Sequence, residues 1–165
     1  MKPLTRTNLT LAAAALVLGL LNWFEPGRTP ATPEPVSSVD VEQVQELKLY
    51  RAQQLAVSLQ REGGRWLRMP PLPDDCAAPG CEISQPELIR QWLHFAELPS
   101  LHSFAAPMDR LHEFGLDQPG YRLQLDDLAI LVGNLDPGSR LRYLLIDGRI
   151  HLVSDSYHHT LEKNP

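Results

Sequence analysis

The sequence predicts an α+β domain: antiparallel strands with two helices packed on the sheet, carried behind an N-terminal transmembrane helix. Three observations predict it. Short segments such as Glu46–Arg51 and Tyr121–Leu125 alternate apolar and polar residues between turn residues, the period of a half-buried strand. Residues 88–96 instead space Leu88, Ile89, Trp92, Leu93, Phe95 and Ala96 at the helical period, as a helix lying on a sheet does. Strands both precede and follow that stretch, an order that fits α+β rather than alternating α/β architecture.

The first element is the apolar run of residues 9–24, LTLAAAALVLGLLNWF. Its only polar side chains are Thr10 and Asn22, Lys2 and Arg6 precede it, and no acidic residue comes before Glu25. As a helix it would cover roughly 24 Å. That is slightly short of the ~30 Å hydrocarbon core, a gap that snorkelling by Arg6 would close. Trp23 and Phe24 end the run as interfacial aromatics do. The expectation is a single-pass anchor in a bacterial inner membrane, with residues 1–8 in the cytoplasm and the C-terminal domain in the periplasm. A cleaved signal peptide is the competing reading, with a small-x-small pattern at Thr29-Pro30-Ala31. Residues 25–38 contain Pro26, Pro30, Pro33 and Pro35 among small and polar residues, the composition of a semi-rigid stalk.

The domain itself is expected over residues 39–153. Leu47 and Leu49 share one face of the first strand, and Leu55, Val57 and Leu59 alternate in the second. Gly63-Gly64 then reads as a hairpin turn, because both central residues of such a turn need positive φ. Ser84-Gln85-Pro86-Glu87 has the serine-to-glutamate spacing of a capping box and opens the main helix. A second short helix is expected from Pro107 or Met108 to Phe114, closed by Gly115 with Leu116 packed behind it. The last third reads as a meander turning at Asp126-Asp127, at Asp136-Pro137-Gly138-Ser139 and at Asp147-Gly148. Leu144, Leu145 and Ile146 are consecutive, the mark of a strand covered on both faces. Residues 154–165 read as a polar, fraying tail. Trp66, Trp92, Phe95, Phe114, Leu116 and Tyr143 are the expected core.

Hydrophobic residues make up 43% of the 165 and charged residues 21%, which excludes collagen, a wholly disordered chain and a multi-span membrane protein. The formal charge of −5 argues against a nucleic-acid surface. Cys76 and Cys81 lie in DDCAAPGCEI. In an oxidising compartment they are expected to form a structural disulfide that pins the start of the main helix. Their spacing is not the C-x-x-C of a redox pair, and two thiols alone cannot supply a zinc site.

His94, His102, His112, His151, His158 and His159 show no metal-binding spacing on a helix. Ser154-Asp155-Ser156 near His151 and His158 has the residue types of a triad but no nucleophile elbow. Asp74-Asp75 and Asp126-Asp127 fall at turns, where aspartate bonds to the backbone. No catalytic, cofactor or metal site is therefore expected. Arginines outnumber lysines 12 to 3. Arg61, Arg65 and Arg68 gather at the first hairpin, and Arg140, Arg142 and Arg149 at the last, as a candidate partner surface.

Taken in order, Trp66 with Pro70, the helix, the element Phe114-Gly115-Leu116-Asp117-Gln118-Pro119, Val132-Gly133, and Arg142-Tyr143-Leu144 before Asp147-Gly148 resemble a bacterial family of membrane-anchored proteins, domain-of-unknown-function family 4340. The resemblance spans residues 39–153 and covers one copy of a unit that many members repeat. It implies one N-terminal anchor and association with a membrane-protein partner, in some members the auxiliary subunits of gliding-type ABC transporters. It implies no catalytic residues. The expected function is thus an accessory or scaffold protein acting through protein contacts, with a periplasmic binding module for a peptide, glycan or small envelope ligand as the alternative.

Overall fold

The computed structural model of the chain describes residues 33–69, 81–82 and 85–164. The expected anchor lies outside them, as do Cys76 and the side chain of Cys81. Among the described residues no helix is long and apolar enough to cross a membrane.

Among the described residues nine antiparallel strands form one sheet: β1 (Glu46–Arg51), β2 (Gln54–Glu62), β3 (Arg65–Arg68), β4 (Cys81–Glu82), β5 (His102–Ala105), β6 (Tyr121–Leu125), β7 (Leu128–Leu135), β8 (Leu141–Ile146) and β9 (Arg149–Ser154). Their spatial order is β4-β3-β2-β1-β6-β7-β8-β9-β5. The two halves of the chain meet where β1 pairs with β6, Leu49 opposite Leu123. Helix α1 (Pro86–Leu93) continues into a 3-10 turn, His94–Ala96.

The inner face packs Leu47, Leu49, Val57, Leu59, Leu123, Ile130 and Leu144 against Leu88, Ile89, Trp92 and Phe95, all buried. All six apolar residues expected to face the sheet from the helical stretch are buried. Among the described residues the outer face is covered only in part. Segment 106–116, including the 3-10 turn Leu111–Phe114, lies over Leu145 and Ile150 through Leu116 and Phe114. This gives β8 its two covered faces.

On this outer face one row crosses the sheet strand by strand. Leu55 stands opposite Tyr50, Tyr50 opposite Arg122 and Arg122 opposite Leu131. The row continues through Leu145, Ile150 and Phe104. Of the expected core, Trp92, Phe95 and Leu116 are buried, while Trp66, Phe114 and Tyr143 pack against the two clusters half-buried.

The glycine turns form as their backbone needs require: Gly63 and Gly64 have φ of 57° and 83°, Asp147 and Gly148 have 46° and 74°. Gly115, at φ 68°, ends the turn before it.

Several expectations are corrected. The stalk is not free to residue 38: Val36 N donates to Leu98 O and Ser100 N to Glu34 O, with Val36 buried. Pro35 bridges Pro99 at a position where neither residue is asked for an N–H. The tail does not fray, because residues 155–162 form a 3-10 helix whose Thr160 and Leu161 are fully buried. The second helix is only the four-residue 3-10 turn. Leu55 is exposed rather than core: Ala56 is an extra residue between the Leu49–Val57 and Tyr50–Leu55 pairs, and such a bulge turns Leu55 to the outer face. Gln85, not Ser84, is the N-cap of α1, and no side chain caps it. Glu87 instead accepts from Arg90 at 2.7 Å.

Candidate groove and partner edge

A groove and a sheet edge can each receive another molecule. The first is a groove of about 860 Å³ between α1, the 40–42 turn and the β2–β3 hairpin. Ile89 and Leu93 of α1 form its apolar floor, and Trp66 and Tyr157 stand at its walls. Register places Arg61 opposite Trp66, and the Arg61 guanidinium lies over the indole, 6.0 Å from its centroid, while also donating to Glu42 O. His94 meets the ring of Tyr157 edge-on at 4.9 Å, and its Nδ1 lies 3.3 Å from Glu97.

The groove's carboxylates are largely engaged. Asp40 closes its own turn by accepting from Glu42 N and Gln43 Nε2, and Glu87 holds Arg90. Among the described residues no serine, threonine or cysteine lines the groove. Its residues can stack, hydrogen-bond and attract charge, which is the chemistry of holding a ligand.

The second surface is the outer edge of β5, at one end of the sheet. Ala106 N donates to Gly148 O, so alternation turns the backbone N–H and C=O of Ser103 and Ala105 away from β9. Among the described residues no strand pairs with that side. Leu101, Phe104 and Met108 are exposed beside it. The sequence signals no strand here, since HSFA is four residues long, lacks a β-branched residue and is exposed throughout. The lone Phe104, seated on Phe114 at 5.7 Å, is the one hint.

The arginines do not form two patches. Arg61 joins the groove. Arg68, opposite Leu59, shares its face, and Arg65, opposite Glu62, points to the other. Arg142 is mostly enclosed, holding Asp155 and donating to Gly133 O at 2.6 Å, so it is removed from any exposed surface. Arg149 lies four residues along the β8–β9 ladder from Arg142, roughly 13 Å away, and donates to Ser103 Oγ. Arg140 sits in the β7–β8 turn at φ 59°.

The triad residue types are likewise kept apart. Ser154 bonds Ser156, Asp155 bonds Arg142, His158 meets the Tyr121 ring, and His151 lies 3.0 Å from Ser100 Oγ. Asp126 accepts from Gln45 N and Glu46 N, the backbone role expected of a turn aspartate. Tyr143 is pushed up to about 12, by burial first and then by its hydrogen bond to Asp136. Among the described residues no three His, Cys, Asp or Glu side chains gather to hold a metal ion. No family model, curated protein or solved structure matches the chain.

Proposed function

We propose that this is a membrane-anchored accessory or scaffold protein of the bacterial periplasm, working through protein–protein contacts. The open edge of β5, with its outward Ser103 and Ala105 backbone and exposed Leu101, Phe104 and Met108, carries the reading. An unpaired edge beside apolar side chains is the template for β-strand addition. Residues 9–24 supply the anchor, which raises the local concentration of the domain at the membrane. The resemblance described above points to an ABC-type transporter assembly as the partner.

The test is a crosslinked pull-down of the full-length chain in mild detergent, beside Ala105→Pro. Proline there removes an outward N–H without touching the β9 ladder. A stoichiometric membrane partner that is lost in Ala105→Pro supports the reading. Capture of no partner, or capture indifferent to the substitution, defeats it. The groove favours a second reading, a binding module for a peptide, glycan or small envelope ligand. Thermal shifts from such ligands that vanish in Trp66→Ala would select it.

A further inference from the structure

Among the described residues, half of the cross-strand row on the outer face has no cover: Leu55, Tyr50 and Arg122. Segment 106–116 covers the other half. Leu55 is 52% exposed. The Arg122 guanidinium is stacked on Tyr50, its Cζ 4.1 Å from the ring centroid. Its Nε is buried and donates to nothing, and among the described residues no carboxylate pairs with it. Lys48, another cation of this face, is already held by Glu46 at 2.7 Å. Among the described residues, a chain of net charge −5 thus holds the Arg122 guanidinium pre-oriented and without a carboxylate partner, with an exposed leucine on the same row.

We propose that this row docks an acidic segment of a partner protein, with a carboxylate on Arg122 and an apolar side chain on Leu55. Charge complementarity selects the occupant. Arginine offers a planar fork that fits a carboxylate, and stacking on Tyr50 fixes that fork before binding. Leu55 and Arg122 lie two strands apart, roughly 10 Å, which sets the spacing of the two anchors on the partner. Arg122, the nearest part of this surface, is four strand intervals from β5, roughly 19 Å, so the surface stands whether or not β5 captures a strand.

The experiment is fluorescence anisotropy of the full-length chain in detergent at low salt. The probe is a neutral-dye-labelled peptide of repeated Leu-Ser-Ser-Glu, compared with its glutamine counterpart. The glutamate peptide should bind about tenfold more tightly. Arg122→Met should abolish that difference. Leu55→Glu, at an exposed position that cannot unfold the sheet, should weaken the glutamate peptide about tenfold. Ala105→Pro should leave its binding unchanged. Equal binding of the two peptides would overturn the proposal, as would a preference that persists in Arg122→Met or an affinity for the glutamate peptide that is unchanged in Leu55→Glu. Arg122-dependent binding to phosphatidylglycerol vesicles, with none to the peptide, would replace the partner with lipid and overturn it as well.

Discussion

The indole Nε1 of Trp92 donates to the backbone carbonyl of Thr160 at 2.9 Å, and both residues are fully buried. This bond joins the C-terminal end of α1 to the C-terminal 3-10 helix. Arg51, from β1, reinforces the same end by donating to Leu161 O, Lys163 O and Asn164 Oδ1. Thr160 and Leu161 are therefore part of the core, although the segment around them is polar.

Trp92→Phe should lose the bond and leave Thr160 O with its bond from Lys163 N, at a cost of about 0.5–1.5 kcal/mol for the lost bond. Trp92→Ala should cost about 3–5 kcal/mol, a large share of a domain's ~5–15 kcal/mol. Urea denaturation followed by tryptophan fluorescence and circular dichroism checks both. A Trp92→Ala protein as stable as the parent would contradict helix-on-sheet packing around this residue.

Gly133 controls the cover of the outer face. A Cβ there would stand 2.4 Å from Phe114 O and 3.0 Å from Leu116, so β7 and the 114–116 segment approach too closely for any side chain. Gly133→Ala should destabilise by about 1–3 kcal/mol and increase binding of a hydrophobic dye as Leu145 and Ile150 lose their cover. If the variant matches the parent in both measurements, the cover does not seat as described.

The parts of the fold legible in the sequence are those whose local chemistry and tertiary role agree. Gly63-Gly64 and Asp147-Gly148 announce their hairpins because positive φ is cheap there, and the stripe from Leu88 to Ala96 announces the face it buries. Elsewhere context decides. Leu55 alternates correctly with Val57 and Leu59, yet the bulge at Ala56, invisible to a period-two pattern, sends it outward. Thr160 and Leu161 are buried because Trp92 and Arg51 find backbone carbonyls there, contacts across 68 and 110 residues. Of the candidate surfaces, the groove beside α1 could be anticipated from the amphipathic helix. The β5 edge and the Arg122–Tyr50 stack could not, since both arise from register between distant strands.

Acid should weaken the domain through two histidines. Burial, then the nearby Arg149, holds His151 below the ordinary imidazole value of 6.5. Burial, then Arg142, does the same to His158, with His159 adding to the depression and Asp155 and Glu162 opposing it. Both stay neutral in the folded chain at pH values where the unfolded chain binds protons. Stability is therefore fully present above about pH 6.5 and is lost as pH falls through the folded-state values. Urea midpoints should drop between pH 7 and pH 5, and His151→Gln should flatten that slope. A midpoint independent of pH across this window would refute the assignment.

The turn joining β1 to β2 offers the opposite kind of test, a gain. Ala52 and Gln53 have φ of 45° and 68°, the left-handed pair that a two-residue hairpin demands. Neither residue favours that region, so the turn is imposed by the strands around it: Leu49 faces Val57 on one side and Leu123 on the other. Ala52 N also donates to Gly120 O, a bond any non-proline residue preserves. Asparagine and glycine tolerate positive φ far better. Ala52→Asn with Gln53→Gly should therefore raise stability by roughly 1 kcal/mol, seen as a higher urea midpoint at unchanged slope. A lower midpoint would mean that the Ala52 and Gln53 side chains contribute more to the native turn than their backbone conformation costs.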